Sequence, residues 1–451
     1  MTFDRRTLLA AGLGLGATAT GVQAADSVLP KVIPNASDIA PALAPDEQRD
    51  QTAALQAAID TAAEKDLPLV LPPGKFVVGD LRLRSGTRLL GMARTTALSF
   101  AGGDAFLTGD KADGLVLTGL TFDGAYKTFS PERGDGLITL TRSHAIRLSD
   151  LEISNSVGIA LSLTGCGGRI ETIFISKSID TGLKSLDAEG LTIAGNTVSD
   201  CGNNGILVWR SAPGEDGTIV SENRISQIRN AAGGTGEYGN GINVFRGGSV
   251  LVTGNRITDC TYSAVRGNAA SNIQIISNSC GRLGEVAIYA EFGFEGALIA
   301  NNLIDTAAAG ISVTNFNEGG RLAVVQGNLI RNLFRREAEP EDKRGEGIGI
   351  EADAVVSGNT IENAPTVGIQ IGWGKFMRDV AATGNVIRSA RVGISVTGDP
   401  DAGKCLIANN LISGATDGAI RAMNLGELTG PDLAREPASS KSIHVTGNLS
   451  T

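Results

Sequence analysis

The chain has 451 residues, of which 42% are hydrophobic but only 4% aromatic, while Gly alone contributes 60. A rounded core draws on more Phe, Tyr and Trp than this, so the composition points to a long body filled with small and β-branched side chains. The formal net charge of −9 excludes a broad phosphate-binding surface, which needs concentrated Lys and Arg, and no nucleic-acid partner is expected.

The N-terminus reads MTFDRRTLLAAGLGLGATATGVQAAD. Arg5 and Arg6 precede an apolar run from Leu8 to Val22 and a small-residue exit at Val22, Gln23 and Ala24, the form of a twin-arginine export signal over 1–25. Gly12, Gly14 and Gly16 would make a poor folded helix. The signal implies the twin-arginine export machinery as a partner and a periplasmic or secreted mature chain. Residues 26–44 read as a flexible linker. No later stretch is long and apolar enough to span a bilayer, so no membrane span is expected in the mature chain.

Residues 46–64, DEQRDQTAALQAAIDTAAE, predict an amphipathic helix with Leu55 and Ile59 on one side, suited to closing one end of an elongated fold. LPLVLPPGKFVVGDLRLRSGTRLLG and GLVLTGLTFDG follow as short strands punctuated by Gly and Pro. From Gly195 the chain repeats itself: GNTVSDCGNNGILVW, GNRITDCTYSAV, NNLIDTAAAGISV, GNTIENAPTVGIQIGWG, GNVIRSARVGISV and NNLISGATDGAIRA. The repeat Asn falls at Asn196, Asn223, Asn255, Asn278, Asn302, Asn328, Asn359, Asn385, Asn410 and Asn448, at intervals of 23 to 38 residues centred near 25. With alternating strand patterns and no room for a recurring helix, this spacing predicts a solenoid of β-coils.

Within a coil the Asn belongs at a tight bend, where its amide bonds backbone and stacks on the next Asn. Ile369 and Ile371, or Ile394 and Val396, should point inward, leaving Gln370 and Ser395 to face water. Cys201 and Cys260 follow Asn196 and Asn255 by the same offset and read as buried hydrophobes in one interior column. The odd total of five cysteines excludes a complete disulfide set.

The segment after the helix resembles the start of pectate-lyase-like right-handed parallel β-helices, a superfamily that includes phage tailspikes and polygalacturonase-type enzymes. The export signal together with Asn-Gly coils is similar to the twin-arginine-translocated repetitive proteins. The resemblance covers about residues 45 to 450 and implies an all-β fold, a right-handed parallel β-helix with an N-terminal capping helix over 45–451.

Two coils are long. RNAAGGTGEYGN is inserted before Gly241 and FRREAEPEDKRGE before Gly347. Each follows the Asn corner and precedes the strand, so both should emerge on one side, as walls of a site or as exposed loops. The outward strand positions then form two columns. One runs Leu207, Asn243, Arg266, Tyr289, Ser312, Gly349, Gln370, Ser395 and Arg421. The other runs Trp209, Phe245, Asn268, Glu291, Thr314, Glu351, Gly372, Thr397 and Met423. Large and ionisable types gather beside the insertions, the composition of a groove for an acidic polysaccharide or oligosaccharide.

In that groove Trp209 and Phe245 would stack on sugar rings, and Arg210 and Arg246 would hold carboxylates. Asn243 would add polar contact, and Tyr238 of the first insertion would reach over. A lyase or C5-epimerase needs a cation on the uronate carboxylate and a base beside the carbon, roles that fall to Arg266 and Tyr289, with Glu291 beside them. An inverting glycoside hydrolase would instead use Glu291 and Glu351, two coils or about 9 to 10 Å apart at the backbone. The aspartate NTD and DD pairs of polygalacturonase-like proteins are missing. A noncatalytic polysaccharide-binding or cell-envelope scaffold protein is the remaining reading. No cofactor is expected. Calcium, used by many pectate lyases, is a candidate, although no dense Asp cluster lies on the strands. His144 and His444 stand too far apart in coil order for a zinc site.

Overall fold

The computed structural model describes residues 43–130, 132, 134–336, 345–436 and 442–451. The export segment 1–25 and the linker up to residue 42 lie outside the described residues. Leu43 already belongs to the core.

The chain winds into a right-handed parallel β-solenoid of about 15 turns. Each coil gives one strand to a 15-stranded parallel sheet and further segments to a 27-stranded sheet around the other faces. One coil shows the pattern, with Thr192–Ala194 in the first sheet and Thr197–Cys201 and Asn204–Glu215 in the second. Parallel register stacks like on like. Ile193, Val220, Val252, Ile275, Ile299 and Val325 are successive partners and all fully buried. β-Branched side chains suit this arrangement because each fills the pleat above its neighbour.

The Asn corners form a continuous internal ladder. The backbone N–H and the side-chain amide of Asn278 both donate to Oδ1 of Asn302, at 2.9 and 3.1 Å. Asn255 makes the same pair of bonds to Asn278, both at 3.0 Å, and the pattern runs from Asn196 to Asn448. Each amide also donates to a carbonyl of the preceding coil, as Asn302 does to Ile275 at 2.9 Å. Asn suits the corner because its short amide reaches both targets without leaving a buried donor unpaired.

Cys201, Ile228, Cys260 and Leu283 form one interior column, and all five cysteines are free and buried. Burial pushes the Cys201 thiol up to about 12, so it behaves as a small hydrophobe.

Two expectations need correction. The capping helix, α1, spans Thr52–Glu64 and buries Leu55, Ala58, Ile59 and Ala62, but Asp46–Asp50 is a strand paired with Gly74–Val78. Gln51 continues that strand by donating its N–H to Val77 at 2.8 Å, and the Asp50 carboxylate takes the Thr52 N–H at 2.8 Å to start the helix. Ser395, expected to face water, is only 3% exposed. It shares a cavity with Gln370, Arg391 and Leu428, whose longer side chains rise around it.

Candidate functional site

Four consecutive rungs of the outer face carry the site. Leu207 pairs with Asn243, Asn243 with Arg266 and Arg266 with Tyr289, while Trp209 leads through Phe245 and Asn268 to Glu291. The first insertion folds back over these rungs. Its Glu237 carbonyl accepts from the side-chain amides of Asn204 and Asn243, each at 3.2 Å, and its Gly236 carbonyl accepts from Asn240 at 2.9 Å. Gly236, at φ +151°, lies directly against the Arg266 guanidinium, where a Cβ would collide. The Tyr262 hydroxyl donates to the Gly234 carbonyl at 3.0 Å, and Arg336, at the described flank of the second insertion, lies 5.1 Å from the Tyr262 ring. Tyr262 is thus touched by the first insertion and by the described flank of the second.

Between the insertion and the strands is a cavity of about 310 Å³ lined by Trp209, Glu237, Asn243, Phe245, Arg266 and Asn268, with Thr235, Gly236 and Phe292 completing the wall. Trp209 and Phe245 pack edge to face, with centroids 6.0 Å apart and planes at 67°. They make one angled wall rather than two parallel stacking platforms. The Trp209 indole N–H and the Asn243 amide oxygen are buried without a hydrogen-bond partner. Leaving such groups unpaired costs about 1–3 kcal/mol each, a cost that a polar ligand would relieve if its entry into the cavity uncovered them.

Beneath this wall lies a buried ion pair. Arg266 meets Glu291 in bidentate fashion, Nε to Oε1 at 2.5 Å and Nη2 to Oε2 at 3.1 Å, and Nη1 stands 3.5 Å from Glu285. The Arg266 and Glu291 side chains are 11% and 6% exposed. Asn268 adds a bond to Glu291 at 3.3 Å, and the guanidinium lies 4.7 Å from the Tyr289 ring centroid. Burial raises the Glu291 carboxyl above its ordinary range despite the pull of Arg266. On Arg266, burial works against the charge, but Glu291, with help from Glu285 and Tyr289, outweighs it, so its pKa rises. One cation between two carboxylates leaves the cluster with a formal excess of negative charge when both are ionised.

The remaining predicted residues lie around this core. Arg210 turns away to the Ala188 carbonyl at 3.3 Å and to Asp216 at 3.9 Å. Arg246 bonds the Ser211 carbonyl at 2.9 Å and covers the Phe245 ring at 4.6 Å. Tyr238 is half-buried beside Glu237, and burial, then the charge and hydrogen bond of Glu237, hold its phenol above the usual range. Glu351 accepts the Phe316 backbone N–H at 2.6 Å, and burial raises its carboxyl. Glu291 and Glu351 are thus committed to different partners.

Sequence reasoning missed Glu285 and the lining role of Phe292. Glu285 falls within a register irregularity between Leu283 and Val286, where repeat spacing no longer assigns a face. Phe292 directly follows the Glu291 rung at a positive φ of 60°, a turn that regular alternation does not foresee. Among the described residues no three His, Cys, Asp or Glu side chains gather as a metal-holding group. His144 stands 3.7 Å from Glu189, far in coil order from His444.

The family model described as a right-handed β-helix region matches residues 214–387. No curated protein matches the chain. Among solved structures, the pre-mature gene product 12 of bacteriophage phi29 is 15% identical, with a TM-score of 0.53 over 88% of this chain. This chain spans 58% of that one's length. The catalytic unit of a thermostable α-1,3-glucanase from Streptomyces thermodiastaticus is 16% identical, with a TM-score of 0.42, covering 96% of this chain and 70% of that one. The A-module of a mannuronan C-5 epimerase from Azotobacter vinelandii is 17% identical, with a TM-score of 0.33, covering 92% and 95%. At these identities the likeness is one of fold.

Proposed function

We propose that this chain is an exported carbohydrate-active β-helix protein that holds a sugar residue of a polysaccharide in the cavity between Trp209, Asn243 and Arg266. The observation that carries the reading is the pairing of an aromatic wall with an unpartnered indole N–H and an unpartnered amide oxygen. A sugar ring offers an apolar face to such a wall and hydroxyls that both donate and accept. Export rests on Arg5, Arg6 and the apolar run after them.

The charge balance refines the choice of sugar. Arg266 already spends its guanidinium edge on Glu291, so the resting cavity suits neutral hydroxyls better than a carboxylate. Binding without chemistry is therefore the leading reading. A second reading, β-elimination or C5-epimerisation of a uronate, is favoured by Arg266 lying over the Tyr289 ring on adjacent rungs. In it Arg266 exchanges Glu291 for the sugar carboxylate and Tyr289, as its phenolate, takes the proton from the carbon next to that carboxylate; then either the β-oxygen of the linkage leaves and is protonated, or the carbon is reprotonated on its other face. The test is incubation of the mature protein with neutral glucans and with alginate, pectate, hyaluronan and glucuronan, with and without calcium. Retention of a glycan without change is expected. Unsaturated ends seen by ultraviolet absorbance, or altered uronate ratios seen by proton NMR, would replace the binding reading with the second. The absence of both retention and chemistry would overturn both.

A further inference from the structure

The outward column under the first cavity continues along the solenoid, from Arg266 through Tyr289, Ser312, Gly349 and Gln370 to Ser395, each the register partner of the next. At its far end the chain departs from the coil pattern. After Ile420–Asn424 it turns back, and Glu427–Asp432 pairs antiparallel with that strand, the only antiparallel strand pair among the described residues. The turn is pinned by the Asp432 carboxylate, which accepts the N–H groups of Ala419 at 2.8 Å and Ile420 at 3.0 Å. The return hydrogen-bonds the last strand of this face and so covers its open edge.

It also walls a second cavity, of about 450 Å³, with Leu425 and Leu428 on one side, Arg391 on another, and Gln370 and Ser395 as the floor. Ser395 is 3% exposed, yet its hydroxyl has no hydrogen-bond partner. Arg391 Nε is likewise buried without a hydrogen bond, approaching Asp417 only at 3.7 Å. A buried hydroxyl left unpaired on the outer face of a β-coil is costly unless a ligand completes it. Between the two cavities the floor is low. A Cβ on Gly349 would meet only Glu346 Oε2 at 3.8 Å and Ser312 Oγ at 4.0 Å. Four rungs at about 4.8 Å each place the Gln370 rung about 19 Å from the Arg266 rung.

We propose that the cavity walled by the Glu427–Asp432 return is a second sugar subsite, and that one polysaccharide chain lies along the column and fills both cavities. The proposal rests on the sugar-binding reading of the first cavity and adds a length requirement to it. Two linked subsites raise the affinity of a ligand that reaches both, without changing that of a ligand that reaches one.

Calorimetric titration with di-, tetra- and octasaccharides cut from the retained glycan tests it. The wild-type protein should bind the octasaccharide about tenfold or more tighter than the disaccharide. The double substitution Gln370→Ala and Ser395→Val should remove that advantage and leave the first cavity's affinity for the disaccharide unchanged, whereas Trp209→Ala should weaken every length that uses the first cavity. Should the double variant melt early, Arg391→Gln at the rim supplies the same readout. A length advantage that survives in a folded second-cavity variant overturns this proposal while leaving the first cavity's reading intact. Failure of the wild-type protein to retain any glycan overturns both.

Discussion

The Asn ladder and the outward columns are built from the same coils at the same spacing, yet they differ in every chemical respect. Inside, one residue type recurs from Asn196 to Asn448, with its amide bonded to the next rung and to a carbonyl below. Outside, successive rungs carry Leu207, Asn243, Arg266, Tyr289 and Ser312, and atoms of Trp209, Asn243 and Ser395 are buried without partners. A ladder rewards identity, because each rung must satisfy the same groups on its neighbour. A binding face rewards difference, because each rung meets a different part of a ligand. An unpaired buried group is costly, and at Trp209, Asn243 and Ser395 that cost falls on residues that line a cavity.

The largest break in this contrast should come from the one outer-face position that is also structural. Arg266→Ala leaves Glu291 buried without its cation and should cost about 3–5 kcal/mol in chemical denaturation. Adding Glu291→Ala should recover part of that loss. If the single variant is as stable as the wild-type protein, the ion pair is not buried as described. Next comes the ladder itself. Asn278→Ala strips Asn255 of the oxygen that accepts two of its donors and the Val252 carbonyl of its donor. A loss of about 3 kcal/mol is expected, with glycan retention unchanged wherever the protein stays folded.

A smaller effect concerns pH. Burial raises the Glu351 carboxyl in the folded chain above its ordinary 4.5. A raised folded pKa means that its favourable contribution is complete below the unfolded value and is lost as pH rises through the folded one. Glu351→Gln keeps an acceptor for the Phe316 N–H and removes the charge. The variant should therefore gain on the wild-type protein as pH rises above 4.5, read as a widening gap in Tm. A gap that narrows with rising pH would reverse the assigned cause.

Much of this molecule was legible beforehand because the repeat constrains it. The recurrence of Asn gave the coil length, and alternation around Ile369 and Ile394 gave the inward side, from which the rung partners of Arg266 and Phe245 followed. Legibility ended where the repeat stops being regular. Glu285 lies in a register irregularity, so counting from the Asn could not place it beside Arg266. Asp46–Asp50 read as the first turn of a helix, and only pairing with the distant Gly74–Val78 made it a strand. Adjacency of Arg266 to carboxylate rungs was readable. The commitment of its guanidinium to Glu291 was not, because side-chain reach along a rung is set by burial rather than by spacing. The cavity around Ser395 was hidden for a related reason, since it depends on a chain reversal after Asn424 that breaks the coil pattern.

The central claim is that the outer face between Trp209 and Arg266 binds sugar while the ladder only supports it. The direct measurement is retention on a glycan panel by the wild-type protein and by Trp209→Ala, with the Tm of each recorded. Retention of a glycan by the wild-type protein, weakened about tenfold or more in the variant at nearly unchanged Tm, is the predicted result. Equal retention by both proteins, or none by either, would contradict it.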